Sequence, residues 1–238
     1  GSSLADLADA VTAAERGLIV AGPADPVGAG VDAIRSLASA TGFPLLADPL
    51  SGLRFGPHVD AAAVCGGYDA YLDPAVTDVW PAPDLVLRFG ASPTSATTRD
   101  YLARSGARQI LVDPAGGWRE ATFTATDLVE ADPGWLADEL AERVVGASGG
   151  GPGGDWAGRF ERAEAAHWAV VDAEDRFFEG AVLSAAIGDA PDPATMFVSN
   201  SMPVRDADRF GRPSSADLTV LGNRGASGID GITSTALG

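Results

Sequence analysis

Residues Gly17 to Ala47 read GLIVAGPADPVGAGVDAIRSLASATGFPLLA. GLIVAG is a short apolar run between glycines, the pattern of a buried strand, and PADPVGAG after it is rich in turn residues. Val31, Ile34, Leu37 and Ala38 then recur at helical spacing until Gly42, and Phe43 to Ala47 is a second apolar strand. Strand, turn, helix and strand make a βαβ unit, which crosses over right-handed in a parallel sheet. Upstream, Leu4, Leu7, Ala8 and Val11 predict a helix from Leu4 to Ala14. Downstream come a strand at Asp84 to Phe89, a helix from Thr97 to Arg104 and strands at Gln109 to Val112 and Asp127 to Glu130. A helix follows from Pro133 to Val145, with Asp132 as N-cap and Pro133 at its first position. The alternation predicts a doubly wound α/β domain over residues 4–145, with about five or six parallel strands.

Such a sheet invites a dinucleotide, but the turn Gly22 to Gly28 does not fit G-x-G-x-x-G. Prolines occupy it and the second glycine is missing. Gly146 to Asp155, GASGGGPGGD, cannot form a packed element and reads as a flexible linker. Beyond it a helical pattern runs from Trp156 to Phe178, with Trp156, Phe160, Ala163, His167, Val170 and Val171 on one face, and a shorter helix from Glu179 to Ile187. Met196 to Val198 is a strand, Ser199-Asn200-Ser201 a polar turn, and Met202 to Asp208 a helical start with Pro203 in its first turn and Ser201 placed to cap it. Leu218 to Leu221 is a further strand. Two strands and a last short helix offer little sheet to bury two faces, so residues 156–238 are expected to be the first part of a second α/β domain.

Composition limits the partners. The 33 Asp and Glu face 16 basic residues, all arginine, for a net charge of −17. This lysine-free, acidic, alanine- and glycine-rich chain suggests adaptation to a high-salt cytoplasm, with GC-rich coding bias as the alternative. Nucleic acid and anionic membranes are unsuited to so negative a surface. No apolar run reaches the roughly 18 residues of a membrane span, and the expected location is the cytoplasm. Cys65 is the single cysteine, expected as a buried thiol. The two histidines, His58 and His167, have no metal-site spacing. His58 is expected at the surface of a loop and His167 in packing.

Gly222 to Gly231, GNRGASGIDG, follows the last strand and precedes helical character from about Ile229. Its glycines permit a sharp turn and close approach of the backbone. Arg224 adds a fixed cation beside backbone N–H groups, a combination suited to an anion. A plain tight connection would use the same glycines. Arg205 and Arg224 both follow the carboxyl ends of adjacent strands, the edge where open α/β sheets bind ligands.

GNRGASGIDG, with SNSMPVRD at Ser199 to Asp206 and ADPLSGLRFG at Ala47 to Gly56, resembles the MenD family, the 2-succinyl-5-enolpyruvyl-6-hydroxy-3-cyclohexene-1-carboxylate synthases. The resemblance implies the Rossmann-like central domain of a thiamine-diphosphate enzyme and the start of its pyrophosphate-binding domain. It implies decarboxylation of 2-oxoglutarate on thiamine diphosphate with Mg2+, addition of the succinyl unit to isochorismate, and a homodimer or homotetramer with active sites at subunit interfaces. By resemblance, Asn200, Ser201, Arg205 and Arg224 bind substrate, and Ser227, Gly228 and Ile229 meet the cofactor, Ile229 as an aliphatic wedge beneath its rings. No metal ligand and no catalytic residue is assigned in this segment. The family's activating glutamate and its metal motif fall in regions this chain does not match, so the chain alone is expected neither to bind the cofactor tightly nor to turn over substrate.

One departure concerns the first domain. Relatives carry a basic side chain after the strand matching Leu85 to Phe89, where this chain reads GASPTSATT at Gly90 to Thr98, with Ala96 near that place and Arg99 the possible substitute. Two alternatives are an acetolactate-synthase-like enzyme, which SNSMPVRD and NRGASGIDG argue against, and a non-catalytic α/β module for a small anion.

Overall fold

A computed structural model describes residues 3–146, 155–223 and 228–238. Most of the glycine-rich segment, and Arg224 to Ser227, lie outside the described residues.

Six strands form one parallel sheet: β1 (Gly17–Ala21), β2 (Leu45–Ala47), β3 (Val64–Cys65), β4 (Leu85–Phe89), β5 (Arg108–Val112) and β6 (Asp127–Val129), in the order β3-β2-β1-β4-β5-β6. Every residue of β1, β2 and β4 is buried, as apolar runs covered on both faces require. Alternate residues face opposite ways. Ile19, Ala21, Leu45, Leu87 and Phe89 pack beneath α1 (Leu4–Ala13), α2 (Val31–Thr41) and α6 (Pro133–Gly146). Leu18, Val20, Leu46 and Val86 face the other way, toward α3 (Tyr68–Tyr71) and α5 (Ala96–Arg104). This is a Rossmann-like doubly wound α/β fold.

The helix ends follow the local chemistry. Ser3 and Asp6 form a reciprocal capping box on α1, and the Asp132 carboxylate accepts from Trp135 N–H at 2.8 Å to start α6. Gly22 and Gly90 explain the glycines at the turns after β1 and β4. A Cβ on Gly22 would lie 1.7 Å from the Ala91 carbonyl oxygen, and Gly90 takes φ +77° with Pro23 O close by. These glycines therefore serve backbone-to-backbone packing, in a place where a dinucleotide fingerprint would approach a pyrophosphate.

The second group of elements comprises α7 (Trp156–Ala173), α8 (Glu179–Gly188), β7 (Ala194–Val198), α9 (Met202–Phe210), β8 (Leu218–Gly222) and α10 (Ile232–Ala236). β7 and β8 pair in parallel. The first turns of α7 lie on the first sheet: Trp156 and Phe160 are buried with Leu18 and Tyr71, and the Trp156 indole donates to Gly17 O at 2.8 Å. The core around β7 and β8 is closed in the reverse sense. Leu50 and Phe55, from the loop after β2, are buried with Ile187, Val198, Val204, Ala207, Leu218 and Val220.

Several expectations are corrected. α7 ends at Ala173, five residues short of Phe178, and Val170, expected on its packed face, is 72% exposed. The short elements β3, α3 and α4 (Pro74–Thr77) were not expected. His58 is buried: a 3₁₀ turn over Pro57–Ala61 folds its ring back against Gly56, with Nε2 2.8 Å from Leu53 O. His167 packs as expected, edge-on to Trp168 with Nε2 3.2 Å from Arg209 O, and Cys65 is a buried free thiol. The final helix starts at Ile232, so Ile229 lies in the preceding turn.

Candidate functional site

The site is built on the turn after β7. Asn200 is buried, and its side-chain amide donates to Gly228 O at 2.8 Å. One amide thus ties the turn after β7 to the turn that follows β8, and holds Gly228 next to Ile229. Ser201 follows with φ 69° and ψ −126°, a conformation that L-residues rarely adopt. Ser201 was expected to cap α9, but it makes no side-chain cap bond, because this backbone turns its exposed side chain off the helix. The strain, on the order of 1–3 kcal/mol, is held in place by the buried neighbours Asn200 and Val204. Pro203 occupies the first turn of α9, as expected.

α9 is amphipathic. Val204 and Ala207 point into the core with Val198, whereas Arg205 and Arg209 stand one turn apart on the exposed side. Arg209 Nε is paired with Asp69 Oδ2 at 2.7 Å. The Arg205 guanidinium makes a contact only with Met202 Sδ, at 4.0 Å, among the described residues. Asp208, on the inner side, anchors the helix. Its Oδ1 accepts from Arg54 Nη2 at 2.9 Å and from Tyr68 Oη at 2.6 Å. Arg54 is wholly buried and also donates to Ala47 O, Ala207 O, Asp208 O and Gly211 O at 2.6 to 3.3 Å. Burial pushes the Asp208 carboxyl up, to about 7, against the attraction of Arg54. Sequence reading missed this network; its one signal was ADPLSGLRFG, where a charged residue follows a buried strand.

Opposite α9 stands the start of α5. Asp48 Oδ2 accepts from Thr94 N–H at 2.7 Å, and Ser95 Oγ caps the helix on Thr98 N–H and donates to Asp69 Oδ1. Arg99 Nη1 donates to Pro93 O and Thr94 O at 2.8 and 2.9 Å. Thr94, Ser95, Ala96 and Arg99 from this side, with Arg205 and Arg209 from α9, line a cavity of about 200 Å³. The structure therefore brings Arg99 and Arg205 to one cavity. A larger cleft, of about 540 Å³, opens where β8 ends, between Asp25, Leu50, Arg119, Phe197, Leu221 and Gly222.

Among the cofactor candidates, Gly228 and Ile229 are exposed, Ile229 at 67%. That branched apolar side chain suits a flat heteroaromatic ring. Arg224 and Ser227 lie outside the described residues. Among the described residues no group of three His, Cys, Asp or Glu side chains could hold a metal ion, and no helix is long and apolar enough to cross a membrane.

No family model matches the chain. Individual proteins do. The chain is 61% identical over 234 residues to the 2-succinyl-5-enolpyruvyl-6-hydroxy-3-cyclohexene-1-carboxylate synthase of Haloarcula marismortui, a match covering 97% of this chain and 39% of that protein. It is 57% identical to the synthase of the same name from Halobacterium salinarum R1 (100% and 40%) and 41% identical to that from Chloroflexus aurantiacus (100% and 41%). The halophilic sources of the first two agree with the acidic, lysine-free composition. The chain spans about two-fifths of the length of these relatives. Matched along nearly its whole length at up to 61% identity, the chain is similar in sequence to about two-fifths of the 2-succinyl-5-enolpyruvyl-6-hydroxy-3-cyclohexene-1-carboxylate synthases.

Proposed function

We propose that this chain forms part of a cytoplasmic synthase of its relatives' length, which decarboxylates 2-oxoglutarate and adds the succinyl unit to isochorismate. Both substrates are carboxylic acids, and the observation that carries the reading is Arg205. It is a guanidinium on the rim of a cavity, with no acidic partner among the described residues, in a chain of 33 Asp and Glu. Its planar fork stays charged and binds a carboxylate through paired hydrogen bonds.

Asn200 positions the turn that carries Gly228 and Ile229, so that the apolar side chain of Ile229 is presented from a fixed backbone. Gly228 and Ile229 would hold the ring end of thiamine diphosphate, with Ser227 beside them. The cofactor, when bound, supplies the electron sink for loss of carbon dioxide. Magnesium is assigned no residue here. Ser201, exposed on strained backbone between Asn200 and α9, directs its hydroxyl outward as a substrate hydrogen-bond partner, and Arg224 supplies a second cation from the turn after β8. Completion of the site by a second subunit, in a homodimer or homotetramer, belongs to the same reading.

The test is the synthase assay on the protein of full family length, with thiamine diphosphate and magnesium. Wild type is expected to consume both acids together, and Arg205→Ala and Arg224→Ala each to lower kcat/KM by at least ~10-fold, as loss of a paired arginine contact requires. Turnover in both variants equal to wild type at high salt refutes the assigned roles.

A further inference from the structure

We propose that the loop after β5 is a self-association surface: the phenyl ring of Phe123 lodges in the apolar cavity between the end of α7 and the start of α8 of a second copy of this chain. The proposal is independent of the synthase reading.

Among the described residues two that are not glycine take a positive φ, Ser201 and Phe123, and at Phe123 φ is 56°. A bulky L-residue rarely enters that region, and such strain persists only where the surroundings impose it. Here a buried carboxylate imposes it. Glu120 is paired with the buried Arg88 at 3.1 Å, and it accepts from Thr122 N–H at 2.7 Å, the Thr122 hydroxyl, Thr124 N–H at 2.8 Å and Ala125 N–H at 3.4 Å. Both neighbours of Phe123 are thus bonded to one carboxylate. Ala121 N–H adds a bond to Ser92 Oγ at 2.9 Å. From this base Phe123 stands out 86% exposed, and Trp118 of the same loop is exposed as well. An aromatic side chain on backbone already held in one conformation gives up little freedom on binding, and aromatic residues of this kind anchor interfaces.

Charge names the partner. Two copies of net charge −17 repel one another unless they meet where carboxylates are few. In a chain of 33 Asp and Glu, residues 114–126 hold one acidic residue, the buried Glu120, and their exposed charge is Arg119, itself bonded to Asp113. The cavity has the same character. It measures about 470 Å³ and is lined by Val170, Val171, Phe177, Phe178 and Phe210, and its one carboxylate, Glu174, is paired with Arg176. Phe177 at its rim is 88% exposed. An aromatic knob and an aromatic-lined hollow, both without an unpaired acid, therefore match across two copies. Molar salt shortens the remaining repulsion to a range of ~3 Å and leaves the apolar contact in force.

Sedimentation equilibrium of this chain over a range of concentrations, at low and at molar sodium chloride, tests the proposal. The mass is expected to rise reversibly above that of one chain, with association at least ~10-fold tighter in molar salt. Phe123→Asn, in which asparagine accepts a positive φ, and Phe177→Ser are each expected to weaken association at least ~10-fold, as loss of a buried phenyl ring requires. Because the two rings touch, the double variant is expected to be about as weak as the weaker single one. The melting temperature of Phe123→Asn is expected to equal or exceed that of wild type, which separates a lost contact from a lost fold. If that variant melts lower, Phe177→Ser, outside the loop, decides alone. One mass at all concentrations in molar salt overturns the proposal, as does association that either folded variant leaves unchanged. Hydrogen exchange supplies the other occupant as an outcome: a loop protected in the protein of full family length, but never in this chain at molar salt, belongs to a contact within the longer protein and overturns the second copy as partner.

Discussion

Asp208→Ala removes the only carboxylate, among the described residues, paired directly with the buried guanidinium of Arg54. The substitution deletes a 2.9 Å ion pair and a 2.6 Å hydrogen bond from Tyr68, both with fully buried partners. Arg54 keeps its four bonds to backbone carbonyls, but it cannot shed its proton, so its charge stays inside without a directly paired carboxylate, with only the more distant Asp48 and Glu164 to offset it. Leaving one half of a buried pair typically costs about 3–5 kcal/mol. The alternative is a surface-like pair worth about 0–1 kcal/mol. Salt separates the two, because a buried pair is screened far less than an exposed one. Urea unfolding of wild type and Asp208→Ala, monitored by tryptophan fluorescence at low and at molar sodium chloride, is expected to show the larger loss at both concentrations. Asp208→Asn, which keeps an acceptor for Tyr68, is expected to lose less. A loss below ~1 kcal/mol, or one that vanishes in molar salt, refutes the view that Arg54 and Asp208 lock α9 to the first sheet.

Ser201→Gly is expected to raise stability by roughly 1 kcal/mol by releasing the strained φ of 69°, while lowering synthase turnover in the full-length protein; thermal melts and initial rates check the pair, and unchanged stability refutes the strain. Glu120 supplies a pH test. Its carboxylate is raised by burial but lowered more by the Thr122 hydroxyl, the N–H groups of Thr122 and Thr124, and Arg88, and ends at about 2. A folded value below the unfolded one means that its stabilisation is fully present above pH ~4.5 and is lost as pH falls toward 2. At ~1.4 kcal/mol per unit this is about 3 kcal/mol, and Glu120→Gln is expected to flatten the acid limb of stability against pH; an unchanged limb refutes it.

The sheet was legible because buried parallel strands leave unbroken apolar runs such as GLIVA and LVLRF, each followed by a glycine or turn. β3 has two residues and α3 and α4 four each, too short for any period to declare itself. The candidates Asn200, Ser201 and Arg205 come from motif resemblance. Their periodicity would have given only a strand, a turn and a helix. Arg54 was not found because its partner Asp208 lies 154 positions later, and a sequence does not show that a charge is buried until the fold has brought its counter-charge to it. His58 failed for a related reason: after proline in a loop it reads as exposed, and only the 3₁₀ turn folds it inward. Arg99 was noted as a candidate, but its relation to Arg205 depends on α5 and α9 facing each other across two units, which no local signal carries.

Leu50 and Phe55 belong to a loop that the first sheet shapes, yet they complete the core around β7 and β8. During synthesis this loop emerges long before the later strands, so its apolar side chains are available when those strands appear. The order of synthesis thus favours a direction of assembly, in which the C-terminal core closes against side chains that the N-terminal half already carries. Polypeptides released in the reverse order, as in a circular permutant that begins at Trp156, would have to wait with a hydrophobic core open.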